Sequence, residues 1–385
     1  MYIVSKKILK LLINIKLIYK PLKIKKILIL DKSGSDLIMK SIGRKTDYLD
    51  VRYSEINLYI IFKLFLSFKK INMQNYIKKY IEIVNPKIVI SHIDNNDFFF
   101  TLKKCYPKIN FLFIQNGTGL ADFTNKELKK KKWHADMLFV YSDQYKKIYS
   151  KFVKGKVITI GSFKNNLYKY QKKIKKLNQL VFISPYKESD NKYIYTYNNK
   201  GFSKKDFYES EIKLLPILFE FCVINKIPFI VAGFYTKKNK NEEKFYKNIL
   251  KNYIQKYPKL YFFKHRDGQY SSYKLIDKSR IVTYVDSALG PQSYSRGNKT
   301  IGFCFKSKIN PNLRFGWPAK FHKSGKFWLN DFNKIEILQK LKEVYEMSSF
   351  DWNNLINNNI DKIIKKDFGN KIFKKHFKEF INLNN

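Results

Sequence analysis

The sequence predicts an α/β protein of two tandem Rossmann-like domains facing across a cleft and closed by C-terminal helices. Three observations carry this. Short β-rich apolar runs alternate with longer helical patterns, the signature of parallel sheets built from βαβ units. The alternation falls into two series separated by a polar, basic stretch. The length, 385 residues, exceeds the roughly 100–200 residues of a usual single domain.

The chain opens on residues 1–22, apolar but studded with lysine. The uncharged run 11–15 is too short for a signal-peptide core or a membrane span. Residues 1–22 read as a basic amphipathic segment, either lying on a membrane surface or packed on the first domain. That domain, 23–165, has strand patterns at 26–31, 48–51, 88–91, 111–114, 137–141 and 157–160. Helical patterns lie between them at 56–67, 73–83, 98–105 and 143–152, completing a Rossmann-like unit. Residues 166–179, within the stretch KNNLYKYQKKIKKLN (164–178), are polar and basic and read as a linker. The second domain, 180–330, has strand patterns at 180–184, 229–232, 260–264, 281–285 and 300–305. Its helical patterns are at 206–225, 242–257 and 273–278, and residues 331–385 read as C-terminal helices. No period of about 20–50 residues repeats, which argues against a solenoid.

A hydrophobic fraction of 44%, with 17% aromatic residues, supports a packed core. The formal charge of +45 invites a nucleic-acid reading. Yet only six of the 76 basic residues are arginine: Arg44, Arg52, Arg266, Arg280, Arg296 and Arg314. Base readout leans on arginine forks, and an RNA-binding sheet on a glycine-flanked aromatic motif. Neither is present, so no nucleic-acid partner is expected. The lysine excess, beside plentiful Asn, Ile, Phe and Tyr, fits an A+T-rich coding sequence and a solvated surface. Such a surface still draws a protein toward anionic membranes or polyphosphate ligands. Cys105, Cys222 and Cys304 lie far apart in apolar runs and read as buried, reduced thiols of a cytoplasmic protein. The five histidines show no metal-ligand spacing, and no metal site is expected.

Ligands of open α/β sheets sit beyond the carboxyl ends of the strands. In the first domain those ends read DKSGSD (31–36), SHIDNND (91–97), QNGTG (115–119) and YSDQ (141–144). In the second they read SPYKES (184–189), AGFY (232–235), KHRDG (264–268) and VDSALGPQSYSRGNK (285–299). Between two such rims a small-molecule cleft is expected. The last stretch is the most distinctive. A strand ends in Asp286, small residues follow, and Pro291 suits a first helical turn. Ser287, Ala288, Leu289 and Gly290 are expected to form a turn whose amides and helix dipole bind an anion. Small side chains would let a phosphate approach; the competing reading is an ordinary capped connection. Arg266 suits bidentate phosphate recognition, or else a surface ion pair with Asp267 or Asp277.

Taken in order, the stretches 87–117, 181–186, 285–299 and FGWP…SGKFWLN (315–330) resemble a bacterial family of transferases in surface-carbohydrate biosynthesis. The resemblance covers about residues 26–352. It implies the GT-B glycosyltransferase fold and transfer of an activated sugar to lipopolysaccharide, capsule or a related glycan at the cytoplasmic face of the membrane. The partners so implied are a nucleotide-sugar donor and a glycan or lipid-linked acceptor, with no cofactor. The same fold carries nucleotide-activated glycerol-phosphate transfer and sugar-nucleotide epimerisation. Related sequences read Asp-Ser-Thr-Leu-Gly-x-Glu where this chain has Ala288 and Gln292. Gln292 is neutral and both accepts and donates, which alters the group offered to a donor ribose.

On the donor side the expected contacts are Ser184, Tyr186, Gly233, His265, Arg266, the turn Asp286, Ser287, Ala288, Leu289 and Gly290, and Gln292. Lys187 and Arg314 are further candidate cations. The absence of Asp-x-Asp points to a metal-independent route in which amides and cations stabilise the leaving phosphate. A base from the first domain would take the acceptor proton. Asp94, following a strand, is the first choice; Asp36 is the second, with helix capping as its competing role. Ser35, Asn95, Gln115, Asn116 and Gly117 are the expected acceptor contacts. The lysine-rich residues 126–132 read as a solvated loop or a capture site for an anionic acceptor. Trp317 and Trp328 read as structural. The competing class is a non-catalytic membrane-surface or polyanion-binding protein on the same scaffold.

Overall fold

The computed structural model describes residues 16–382 apart from 20, 33, 44–45, 51–54, 94–96, 118–132 and 169–174. It divides into two compact units, Met1–Leu167 with Asp367–Asn385, and Tyr168–Lys366.

In unit 1 the elements run β1 (Lys16–Ile18), β2 (Ile27–Leu30), α1 (Ser35–Ile42), β3 (Asp47–Leu49), β4 (Glu55–Asn57), α2 (Leu58–Leu66), α3 (Met73–Val84) and β5 (Ile88–Ser91). Then follow α4 (Phe99–Cys105), β6 (Asn110–Ile114), β7 (Trp133–Val140), α5 (Asp143–Phe152), β8 (Val153–Thr159) and α6 (Phe163–Leu167). Six strands form one parallel sheet in the order β3-β2-β5-β6-β7-β8. The runs ILIL in β2 and IVIS in β5 are buried at every position. A parallel sheet covered on both faces demands this continuous apolar pattern. Each of the six predicted strands is present. The β1–β4 ribbon, three residues per strand, was too short to read. Helix boundaries have local causes. In α3, Asn72 caps the start by accepting from the Asn75 amide at 2.9 Å, and Asn85 ends it in a left-handed conformation.

The stretch read as a linker is ordered at both ends. Asn165 and Asn166 are buried in α6, and Asn166 Nδ2 donates to Asn370 Oδ1 at 2.9 Å. The Gly369 amide donates to the Asn166 carbonyl at 2.7 Å. The unit boundary at Leu167/Tyr168 falls inside the stretch read as a linker, and at its start Asn166 finds buried partners. The final helix, Lys371–Asn382, therefore belongs to unit 1, with the Phe373 ring 4.9 Å from both Phe139 and Phe163. Cys105 corrects another expectation: as the last residue of α4 it is exposed, whereas Cys222 and Cys304 are buried.

Unit 2 runs β9 (Leu177–Ile183), β10 (Tyr195–Tyr197), β11 (Lys200–Phe202), α7 (Lys204–Phe207), α8 (Glu209–Ile224), β12 (Phe229–Thr236), α9 (Lys240–Ile249), α10 (Lys251–Lys256) and β13 (Tyr261–Arg266). It continues through α11 (Ser271–Lys278), β14 (Ser279–Tyr284), α12 (Leu289–Ser295), β15 (Thr300–Phe303), β16 (Ser324–Gly325), β17 (Trp328–Leu329), α13 (Lys334–Glu346), α14 (Ser349–Asn357) and α15 (Ile360–Ile363). Its sheet has the order β13-β12-β9-β14-β15-β17-β16, parallel except for β16. The β10–β11 hairpin turns on Asn198 and Asn199, both at positive φ, as a two-residue hairpin loop requires. Trp328 is structural as expected: its ring stacks on Phe315 at 4.7 Å, and its indole N–H donates to the His322 carbonyl at 3.0 Å. No helix among the described residues is long and apolar enough to cross a membrane.

A buried ion pair locks α11 to the end of α12. Arg296 Nε donates to Asp277 Oδ1 at 2.7 Å and a terminal guanidinium nitrogen to Oδ2. Neither side chain is exposed. The guanidinium lies over the Tyr168 and Tyr273 rings, and Asn298 adds a third donor to Asp277 at 3.0 Å. Arg296→Met would strand the carboxylate in the core. It is expected to lower unfolding stability by about 3–5 kcal/mol, read as a shifted urea midpoint of the whole chain.

Candidate functional site

The carboxyl rim of the unit 2 sheet is organised by Glu242 in the first turn of α9. Its fully buried carboxylate accepts from the Phe234 amide at 2.8 Å, the Tyr235 amide at 3.0 Å and the Ser184 hydroxyl at 2.5 Å. Ser184 Oγ in turn accepts from the Tyr246 hydroxyl at 2.8 Å and the Tyr186 amide at 3.2 Å. One donor and two acceptor positions exhaust a hydroxyl. Ser184 is thus a rim-forming residue, not the donor contact expected. Tyr186 is buried as well, its hydroxyl accepting from Lys204 Nζ at 2.9 Å.

Beside this rim lies a cavity of about 240 Å³ lined by Gly233, Arg266, Lys264, Lys274 and Lys278 among others. The strand order places Gly233 and Arg266 at adjacent strand ends. A Cβ on Gly233 would come within 2.9 Å of the Phe263 ring, so glycine there makes room for that ring. His265 also lines the cavity, but its Nε2 is 3.0 Å from Glu243 Oε2. Among the described residues Arg266, Lys264, Lys274 and Lys278 make no ion pair. Asp277, offered above as a partner for Arg266, is taken by Arg296. Four uncompensated cations around one hollow form an electropositive site that suits a phosphate. Lys264, Lys274 and Lys278 were missed in the sequence, where three lysines among so many carry no signal.

The Asp286 turn departs from its expected form. The Leu289 amide donates to Ser287 Oγ at 3.3 Å and the Gly290 amide to the Ser287 carbonyl at 3.0 Å, so both are engaged within the turn. Gly290 is small for packing: a Cβ there would lie 2.3 Å from the Tyr284 ring. A ring, not a phosphate, fills that space. Gln292 Oε1 accepts from the Tyr273 hydroxyl at 2.7 Å, and the residue is buried. Asp286 Oδ2 lies 3.3 Å from Lys306 Nζ, which also contacts Glu211 Oε1 at 2.6 Å. Lys306 and Glu211 are fully buried. Burial, with Asp286 adding and Lys306 opposing, raises the Glu211 carboxyl to about 7. Ser287, Ala288 and Leu289 are partly exposed.

In unit 1, Asp94 and Asn95 lie outside the described residues. Ser35 is buried at the start of α1, and Asp36 is exposed in the first turn, where no side-chain cap is made. Gln115 is buried and doubly occupied: Oε1 accepts from the Tyr141 amide and Nε2 donates to the Gly117 carbonyl, each at 2.8 Å. It shapes the loop, with one N–H and one lone pair of its amide beyond these two bonds. Asn116 is exposed, its carbonyl accepting from the Tyr141 hydroxyl. His92, passed over in the sequence, sits at the end of β5 with Nδ1 3.1 Å from the Ile114 carbonyl. A carbonyl only accepts, so Nδ1 carries the proton and Nε2 is the acceptor. Gly34, at φ +83, makes room for the ring: a Cβ would stand 2.4 Å from His92 Cδ2. Burial, reinforced by Lys164 and opposed by the Ile114 bond, pulls the imidazole down to about 4.

With this geometry, comparison with known proteins gives the lineage. Residues 112–381 match the model of a family described as "putative O-antigen biosynthesis protein", and the chain belongs to that family. This agrees with the resemblance to surface-carbohydrate proteins. The chain is similar to the Methanocaldococcus jannaschii UDP-GlcNAc 2-epimerase solved with UDP-GlcNAc and UDP, at 12% identity and TM-score 0.52, covering 94% of this chain and 100% of that one. The wall teichoic acid polymerase TagF gives 11%, TM-score 0.51, and 94% and 89% coverage. Sucrose-phosphate synthase from Thermosynechococcus elongatus gives 10%, TM-score 0.50, and 93% and 100% coverage. These likenesses establish the two-domain GT-B-type fold. A comparison with curated proteins finds no match.

Because the folded imidazole is lowered from 6.5 to about 4, it stays neutral where an unfolded chain takes up a proton. Its stabilising contribution is fully present above pH ~6.5 and is lost as pH falls toward 4, by up to about 3 kcal/mol. Urea unfolding of His92→Gln across that window should show a correspondingly flatter pH dependence than the parent.

Proposed function

We propose that this member of the O-antigen family transfers a glycosyl group from a nucleotide-activated donor to a glycan or lipid-linked acceptor. The reaction needs no metal and no cofactor beyond the donor, and takes place at the cytoplasmic face of the membrane. One observation carries the reading: Lys264, Arg266, Lys274 and Lys278 line one cavity at the carboxyl rim with no carboxylate to balance them. When the bond from the sugar to the leaving phosphate breaks, negative charge grows on phosphate oxygen. Cations lining the cavity stabilise that charge more than they stabilise the ground state. Arg266 supplies two parallel donors to phosphate oxygens, while the lysines act as point charges. The reading assigns removal of the acceptor proton to the 92–94 segment. Asp94 is the base, with Asp36 the second choice.

Thermal shift with CMP-, CDP-, UDP- and GDP-linked sugars tests this. One nucleotide class should raise the melting temperature selectively, and Arg266→Ala should weaken that donor by at least about tenfold. Equal, salt-sensitive stabilisation by any polyanion, unaffected by Arg266→Ala, would overturn it in favour of a non-catalytic polyanion binder.

A further inference from the structure

Helix α2 has the sequence LYIIFKLFL, apolar at every position but Lys63. One face is accounted for: Ile60 and Leu64 are fully buried in unit 1. At about 100° per residue, Phe62, Phe65 and Leu66 project from the opposite side. There they stand 55%, 69% and 53% exposed. The chain leaves the helix through Phe68, which is 100% exposed and held at φ 50, and Ile71 is exposed as well. Large apolar side chains this close together on a surface mark an interaction site and are not ordinary scatter.

Charge says what covers it. Between Glu55 and Glu82 the chain has no carboxylate and five lysines, at 63, 69, 70, 78 and 79. Lys69 and Lys70 directly follow Phe68 and are exposed with it. A second copy of this chain would bring another +45 to the contact. Residues 1–20 would be no better, with five lysines and no acid. An anionic bilayer satisfies both features at once: aromatic and aliphatic groups enter the headgroup boundary while lysines meet lipid phosphates. The helix is only nine residues, about 14 Å long, so it lies on the surface and does not span it.

We infer that the outer face of α2, continued through Phe68 to Ile71, docks unit 1 onto an anionic membrane surface. The inference rests on the transferase reading only for the location of the acceptor, and it is measured without donor or acceptor.

The test is co-sedimentation of the full chain with vesicles of phosphatidylcholine alone or mixed with phosphatidylglycerol. The parent should bind the mixed vesicles, less so as salt rises, and ignore the neutral ones. The triple variant Phe62→Ser/Phe65→Ser/Phe68→Ser should lose at least about tenfold in binding. Lys69→Gln/Lys70→Gln should lose about fivefold per lysine. Unchanged melting temperatures in both are expected because the altered side chains are solvent-facing. The inference is overturned if the triple variant binds like the parent or merely converts a dimer to a monomer. It is equally overturned if binding appears only after residues 1–15 are removed. Absence of any vesicle binding sinks it and the membrane location together, while donor-selective thermal shift still decides the transferase reading.

Discussion

The buried carboxylate of Glu242 is the constraint on which the unit 2 rim depends. It takes two backbone amides from the C-terminal half of β12 and the Ser184 hydroxyl after β9. Two strand ends are thus held in one register by a group on a third element. Without it, those part-buried amides would lose their acceptor. The effect on the candidate site is indirect. Glu242 fixes the chain immediately after Gly233, and Gly233 lines the same cavity as the arginine and lysines. Rigid backbone, set by a side chain that never meets a ligand, lets flexible cations act from defined positions.

The distribution of charge separates structure from function more clearly than the total does. Inside unit 2 every buried cation is matched: Arg296 with Asp277, and Lys306 with both Glu211 and Asp286. Arg280 packs over the Tyr345 ring at 3.8 Å and donates to that residue's carbonyl. Four cations without an ion pair, Lys264, Arg266, Lys274 and Lys278, line the cavity. Desolvating an unpaired charge is costly, so such a group persists where water or a ligand still reaches it.

Strand positions were the most legible feature of the sequence. Buried parallel strands must be apolar throughout, and runs such as ILIL and IVIS have little other reading. Short elements escaped because three residues give no period. The boundary between the units, at Leu167/Tyr168, lies inside the stretch read as a linker, but local polarity could not reveal the distant Asn370 that satisfies Asn166. The site was legible in outline only. Arg266 stood out by rarity and Gly233 by position. His92 did not, because what makes it notable is the Ile114 carbonyl, a partner 22 residues away in the chain. Gly290 was noticed for the right reason, close approach, but the approaching group is the Tyr284 ring.

Unit 2 is a single uninterrupted stretch of chain, whereas unit 1 is completed by Asp367–Asn385. Phe373 and Phe377 are buried, and Phe373 meets the rings of Phe139 and Phe163, residues made more than two hundred positions earlier. On the ribosome, therefore, the later-made half reaches its finished form first, and the earlier half waits with an apolar groove open until the last turns emerge. That order makes unit 1 the part in need of chaperone cover during synthesis. It also means that cutting the chain near residue 366 would injure the half farthest from the cut in sequence.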